Sequence, residues 1–210
     1  MADELAKAIT KLANPVLKQD GFQRLQRRKF IRSNGRIVQR LDFQVTSWGG
    51  RDFCVNVSAN LIASNEFVTL QPGFRLSDYD GRDAWLPSKT MDDAEASVKF
   101  VTGLIQEQAF PFLARTNSVE GFSDVLGQED WASSHHLKFQ QGVAAALLGD
   151  ANGAKIKLRD AIRLYEADGR DWFFAKIDKA TKLCEALDAG CHAQLLNEWE
   201  QENSESHGVV

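Results

Sequence analysis

The chain of 210 residues is short of cysteine and of long apolar runs. Its three cysteines, Cys54, Cys184 and Cys191, cannot form a paired framework and include no C-x-x-C motif, which argues against a disulfide scaffold and a zinc site. No stretch approaches eighteen consecutive apolar residues, and the charged start "MADELAKAITKLA" lacks the apolar centre of a signal peptide. We therefore expect a cytoplasmic protein with reduced thiols and no membrane contact.

Motifs that carry chemistry are also scarce. Glycine-rich segments such as "GDANG" lack the lysine and the strand-to-helix setting of a phosphate loop. His135 and His136 are neighbours on a predicted helix, where their side chains diverge, so they cannot share a metal ion and a surface or capping role is expected. The twelfth residue counted from Asp78 is Lys89, where an EF-hand needs glutamate. We expect no metal, no cofactor and no catalytic residue, and the sequence leans against an enzyme.

Charge is unevenly distributed along a chain of ordinary globular composition. Hydrophobic residues make up 43% and charged residues 26%, and the net charge is -4. The stretch from Lys18 to Arg51 holds nine Lys or Arg against Asp20 and Asp42, which leaves the remainder strongly acidic. An acidic chain with one basic strip is a poor general nucleic-acid binder and is better suited to a basic protein partner.

The basic strip has the pattern of an antiparallel hairpin. Asn34-Gly35 supplies the positive φ angles of a tight turn between two extended runs. Apolar and polar residues alternate along 36–45 and 53–61, and a further short strand is expected within 66–76. The alternation predicts one apolar face towards the core and one solvated face. Gln39 falls on the apolar side, where it needs a hydrogen-bond partner, and a loop or helix end is the expected one.

Helices are predicted both before and after these strands in the sequence. Residues 3–19 carry an apolar stripe that Pro15 should end or kink. Thr90 and Asp93 resemble a helix cap, and the helix that follows should end near Pro111. Another short helix is expected after Ser118. Four further helices should follow Ser133, the last two over about 171–187 and 191–202, with a frayed polar tail.

These patterns predict an α+β fold: an antiparallel sheet of three to five strands packed on helices, followed by an all-helical C-terminal segment. We expect an α+β domain over 1–130, a helical extension over 131–206 packed on it, and a frayed tail over 207–210.

The first part of the chain contains a distinctive series of residues and strings: Gly21-Phe22, Arg24, Phe30, "VQRLDFQ", Trp48-Gly49, Phe53, Val55 and Asn56, "RLSDYDGRDAW", and "FPFLARTNSVEGF". They resemble an uncharacterised, mostly bacterial family, the domain-of-unknown-function family 4304. The resemblance covers roughly 15–127 and implies a fold but no activity. The helix pair at 135–168 is similar to a single tetratricopeptide unit, through Gly142, Ala145, Ala154, Leu158 and Ala161. The repeat does not recur, which excludes a solenoid.

Candidate contact residues for a protein partner or an anion come from the polar side of the strands and from the charged loop. They are Arg36, Arg40, Gln44, Asn56 and Ser58 on the predicted outer face, Trp48 at a strand end, and Arg75, Asp83 and Trp85 in "RLSDYDGRDAW". A solvated sheet face and a solvated turn remain the simpler interpretations of both sets.

Three classes of function are compatible with these residues. The first is a non-catalytic protein-binding module, in the manner of a bacterial immunity protein that neutralises a basic toxin domain by occupying it. The second is a nucleic-acid binder, which is disfavoured because no aromatic residue falls on the outer face. The third is a binder of small anions that uses the arginines.

Overall fold

The computed structural model describes residues 3–46, 51–64, 72–128 and 134–207. The fold is α+β, as the sequence predicts, with a sheet whose order is β1-β2-β3-β4-β5 and a sixth strand, β6, that also pairs with β4. The strands are β1 (Gln23–Gln26), β2 (Lys29–Asn34), β3 (Ile37–Val45), β4 (Asp52–Leu61), β5 (Gly73–Arg75) and β6 (Leu86–Pro87). Within the described residues the sheet therefore exceeds the expected three to five strands by one.

The predicted hairpin is formed by β2 and β3. Gly35 has a φ of 57°, which the tight turn after Asn34 requires. The expected strand within 66–76 corresponds to β5, which pairs with β4 so that Asn56 lies opposite Arg75. Residues 65–71, which include the beginning of that expectation, lie outside the described residues.

Two long helices cover the apolar face of the sheet. The first, α1, runs through Glu4–Ala8, Ile9–Ala13 and Asn14–Gln19, and the second, α2, through Met91–Leu104, Ile105–Ala109 and Phe110–Arg115. Their buried residues, including Ile9, Val98 and Leu104, form one core with Phe43 and Phe53 of the strands. Thr90 and Asp93 form both halves of a capping box at the start of α2, as predicted.

Neither proline ends its helix. Pro15 and Pro111 each follow a π-helical turn, closed by the N–H of Asn14 on the carbonyl of Ile9 and by the N–H of Phe110 on the carbonyl of Ile105. A proline ring in an α-helix clashes with the carbonyl four residues earlier, and the wider π turn gives the ring room. The expectation that the second helix ends near Pro111 was therefore wrong, and of the two outcomes expected at Pro15 the helix does not end there, because the preceding turn absorbs the misfit.

Three of the five residues on the polar side of β4 are removed from solvent. Cys54 is 0% exposed, Asn56 4% and Asn60 1%, whereas Asp52 and Ser58 are half-buried. The expectation of a solvated face along this strand was wrong for the first three. Asn56 hydrogen-bonds to side chains of both neighbouring strands instead of to water.

Gln39 has the structural role that its position predicts. Its Nε2 donates to the carbonyl of Leu113 at 2.6 Å, near the end of α2, and its Oε1 accepts from Nε of Arg32 at 2.6 Å. Arg32 also pairs with Asp20. One arginine of the basic strip is thus used to hold the sheet and helices together.

The rest of the described chain is helical. The helices are α3 (Val119–Gln128), α4 (Ser134–Leu147), α5 (Ala151–Asp168), a 3-10 turn (Asp171–Phe173), α6 (Phe174–Asp188) and α7 (His192–His207). The expected helix pair at 135–168 is present as α4 and α5. A side chain at Gly142 would begin 2.6 Å from Cγ of Leu158, so the two helices approach too closely there for anything but glycine.

Two expectations about this part need correction. His136 is buried, and its Nδ1 lies 3.0 Å from the hydroxyl of Tyr165, so it belongs to the core and not to the surface. The polar tail is helical to His207, where a frayed end was expected after about 202. Buried Trp199 and Asn203 on α7 give that helix a packed side that composition does not reveal.

The chain divides into two compact units. Unit 1 comprises Met1–Ser33, Val38–Ala59 and Leu70–Ala114, and unit 2 comprises Asn34–Ile37, Asn60–Thr69 and Arg115–Val210. The division into 1–130, 131–206 and 207–210 stays a prediction, since compact units are not the same as independently folding domains.

Candidate functional site

Five of the nine candidate residues meet in one cluster in unit 1. Gln44 lies on β3, Asn56 on β4 and Arg75 on β5, while Asp83 and Trp85 follow in the loop that leads to β6. Asn56 and Arg75 are paired in register, so their side chains emerge on the same face of the sheet. The pairing of β4 with β5 therefore joins two segments that the sequence treats separately.

The cluster is a chain of hydrogen bonds from the sheet to the loop. Asn56 Nδ2 donates to Gln44 Oε1 at 2.7 Å, and Arg75 Nε donates to Asn56 Oδ1 at 3.2 Å. Arg75 Nη1 pairs with the Asp83 carboxylate, and its guanidinium lies 5.0 Å from the centre of the Trp85 ring. Each side chain in the series fixes the next, so Trp85 is held in place while 40% of it stays exposed.

The backbone of the loop 76–85 is fixed as well. Leu76 N–H donates to Val55 O, and Ala84 N–H donates to Leu76 O, both at 2.9 Å. Gln108 of α2 binds both the N–H and the carbonyl of Ser77, at 3.0 and 2.8 Å. The loop is therefore tied to the sheet at its base and to a helix at its side.

Asp78 holds the tip of this loop. Its Oδ1 accepts from the N–H groups of Asp80 and Arg82, at 2.9 and 3.0 Å. The sequence invites a calcium interpretation of this aspartate, but its carboxylate is occupied by backbone donors. In the described ranges, no group of three His, Cys, Asp or Glu is arranged to hold a metal ion.

Sequence reasoning missed Tyr79 at the tip. Its ring is 78% exposed and makes an edge contact with Phe100, at 5.7 Å between centres. Arg82, also exposed, lies three residues further along. An available signal was an aromatic residue between two aspartates just before Gly81, a position that a tight turn exposes.

The thiol of Cys54, which lies on the same strand as Asn56, is unsuited to nucleophilic chemistry. Burial raises the pKa of Cys54 above its ordinary value, and the nearby Arg75 guanidinium opposes that shift without cancelling it. The sulfur therefore stays protonated at neutral pH, and a thiol is a poor nucleophile.

The other candidate residues are placed elsewhere. In unit 2, Arg36 donates from Nη2 to Asn197 Oδ1 at 3.1 Å and lies 3.6 Å from Glu200, both on α7. Arg40 is half-buried, and burial lowers the pKa of its guanidinium while Asp42 opposes the shift. Ser58 lies opposite Gly73 in the sheet. Trp48 lies outside the described residues.

The first part of the chain is similar to a known protein family. Residues 13–115 match the model of a family described as Domain of unknown function (DUF4304). This confirms the resemblance drawn from the sequence strings, over a shorter stretch than 15–127. The match contains the whole sheet and ends with the last residue of α2, and it covers just under half of the chain. No curated protein and no solved structure matches.

None of the helices in the described residues is both long enough and apolar enough to cross a membrane.

Proposed function

We propose that this protein is a non-catalytic binding module that uses the surface of the loop 76–85 to contact a protein partner. The observation that carries the proposal is that Tyr79 and Trp85 are exposed on a loop whose backbone is fixed at both sides. Tryptophan, tyrosine and arginine dominate binding energy at protein interfaces. A fixed loop also loses little conformational entropy when a partner binds.

The charge around the loop favours a basic partner. In the stretch 75–95, Asp83 is paired with Arg75 and Glu95 with Lys11. The remaining charges still have an acidic excess: Asp78, Asp80, Asp92 and Asp93 against Arg82 and Lys89. Complementary charge speeds the encounter of two proteins and disfavours wrong partners. A basic toxin domain has the required chemistry, so we propose more narrowly that the chain acts as a bacterial immunity protein in the cytoplasm.

The alternative of a nucleic-acid or anion site on the arginine face has less support. Arg36 is engaged by Asn197 and Glu200, and Gln44 is engaged by Asn56. The residues expected to read a ligand there bind each other or a helix instead.

Binding to a toxin domain encoded beside the gene tests the proposal. The purified full chain should bind that domain, and the double variant Tyr79→Ala/Trp85→Ala should bind at least about tenfold more weakly by calorimetry. The matched control is Trp172→Ala/Phe174→Ala, which removes two exposed aromatic rings from unit 2. Co-expression should restore growth with the wild type and the control variant, and not with the loop variant.

Two results would contradict the proposal. One is the absence of binding and of growth rescue by the wild-type chain, which would reject the immunity role. The other is equal loss of binding in the loop and control variants, which would show that the loop is not the contact surface.

A further inference from the structure

The arginines of the basic strip differ in whether their side chains bind other residues of the described chain. Arg24 donates to Thr10 Oγ1 at 2.7 Å, and Arg32 pairs with Asp20, so both stabilise the fold. Arg27 and Arg28 lie in the turn between β1 and β2, and neither side chain forms a hydrogen bond or ion pair with the residues described. Lys29, which follows them, comes no closer than 3.9 Å to Asp42.

The backbone that carries these three cations is fixed. Arg24 Nε donates to the carbonyls of Gln26 and Arg27, at 3.3 and 3.1 Å. On the other side, the N–H of Phe43 donates to the carbonyl of Arg28 at 2.9 Å. Three neighbouring like charges repel each other, and the fixed backbone keeps the points from which their side chains extend close together.

A groove lies beside the turn. It has a volume of about 440 Å³ and is lined by Gln26, Arg27, Arg28 and Lys29 on one side and by Asp42, Phe43, Gln44 and Val45 on the other. Pockets of a few hundred cubic ångströms suit small molecules. The lining holds three cations and one carboxylate, so its charge favours an anion.

The groove suits a small anion better than a nucleic acid. Single-stranded nucleic acids stack their bases on exposed aromatic rings. The aromatic residue of this lining is Phe43, which is 1% exposed and packs on Phe30 and Phe53. The lining therefore offers charges for anionic groups and no surface for a base.

We propose that the turn 26–29 and this groove form a binding site for a small molecule that carries two or more phosphate or carboxylate groups. Arg27 and Arg28 supply donors that grip such groups in pairs, and Lys29 adds a third positive charge. The substitutions at Arg27 and Arg28 that test this site share no residue with those at Tyr79 and Trp85 that test the protein contact, so either proposal can fail without the other.

Titration of the full chain with inorganic pyrophosphate and with citrate, at 150 mM salt, tests the site and separates the two anionic chemistries. At least one probe should bind saturably, and Arg27→Gln/Arg28→Gln should weaken it by about tenfold or more. Arg159→Gln/Arg163→Gln on α5, which removes the same charge from another exposed surface, should leave binding unchanged. The melting temperature of the turn variant should stay equal to or above that of the wild type, which shows that the loss is not unfolding.

Three outcomes would overturn this proposal. The first is that neither probe binds saturably. The second is equal weakening in both double variants, which would mean that binding follows net charge only. The third is that a single-stranded RNA binds through Arg27 and Arg28 and neither small probe displaces it, which would make the turn a contact for a nucleic-acid backbone.

Discussion

The loop 76–85 and the turn 26–29 are both fixed by hydrogen bonds in unit 1, but they use charge in opposite ways. In the loop, Arg75 is committed to Asn56, Asp83 and Trp85. The exposed residues there include the aromatic rings of Tyr79 and Trp85. In the turn, Arg27 is exposed and Arg28 half-buried, and neither forms a hydrogen bond or ion pair through its side chain with the residues described. Arg75 thus stabilises the fold, whereas Arg27 and Arg28 of the same unit remain available to a ligand.

This difference shows why the number of basic residues in a segment says little about binding. The relevant quantity is how many of the charges lack an internal partner after folding. A committed arginine stabilises the fold when its partners are already in place, whereas an uncommitted cluster repels itself until an anion arrives. Paired substitutions, one in the loop and one in the turn, test whether the two regions differ in this way.

The largest difference is expected between two leucines. Leu76 at the base of the loop is 0% exposed, whereas Leu25 in β1 beside the turn is 41% exposed. Leu76→Ala should lower the free energy of unfolding by about 2–5 kcal/mol, because it leaves a cavity in the core. Leu25→Ala should change it by less than about 0.5 kcal/mol. Chemical denaturation measures both, and similar losses would mean that the loop is no better anchored than the edge strand.

Two arginines should differ next. Arg75→Ala removes the partner of Asn56 and Asp83 and should cost about 1–3 kcal/mol in the free energy of unfolding. Arg27→Ala should be neutral to within about 0.5 kcal/mol. If the turn variant were as destabilised as the loop variant, Arg27 would have to be a structural residue, and the contrast between the regions would fail.

A smaller and local effect is expected at the tip of the loop. Asp78→Ala removes the acceptor for two backbone N–H groups and should cost about 1 kcal/mol. Hydrogen exchange at the amides of Asp80 and Arg82 should become faster, while the core amides of β4 change little. Asp80→Ala, a change at the exposed tip, serves as the control. Unchanged exchange in Asp78→Ala would show that the tip is fixed by other contacts.

The smallest effect is expected from Asp42 in the groove beside the turn. Burial raises the pKa of its carboxyl, and the positive charges of Lys29, Arg28 and Arg40 lower it without cancelling the rise. The folded state then holds the proton more tightly than the unfolded state, so this group loses stability as pH rises past the ordinary carboxyl pKa.

Asp42→Asn should therefore raise the melting temperature at pH 7, and the gain should vanish at a pH below the ordinary carboxyl pKa. Thermal unfolding of both proteins across this range measures the difference. A gain that stayed constant with pH would show that ionisation of Asp42 is not its cause.

The parts of the fold that sequence predicted are those with local signals. Asn34-Gly35 identified the hairpin, Thr90 with Asp93 identified the start of α2, and Gln39 on an apolar strand side identified a buried hydrogen bond. Each depends on residues close in sequence or on a simple alternation, so no knowledge of distant contacts is needed.

The parts that sequence missed depend on distant contacts. The strands β1 and β6 have four and two residues, too few for alternation to be visible. The burial of Asn56 depends on Arg75, which only the pairing of β4 with β5 brings opposite. The same pairing joined Gln44, Asn56, Arg75, Asp83 and Trp85 into one cluster. The sequence placed Gln44 and Asn56 on one face and the other three in one loop, but gave no reason to connect the two groups.

The π-helical turns before Pro15 and Pro111 lead to a prediction about the sequences of related proteins. Such a turn holds one more residue than the α turn that it replaces, and in both helices it makes room for the proline that follows. Relatives without one of these prolines are therefore expected to be one residue shorter just before it. In an alignment, the gap and the missing imino acid should appear together.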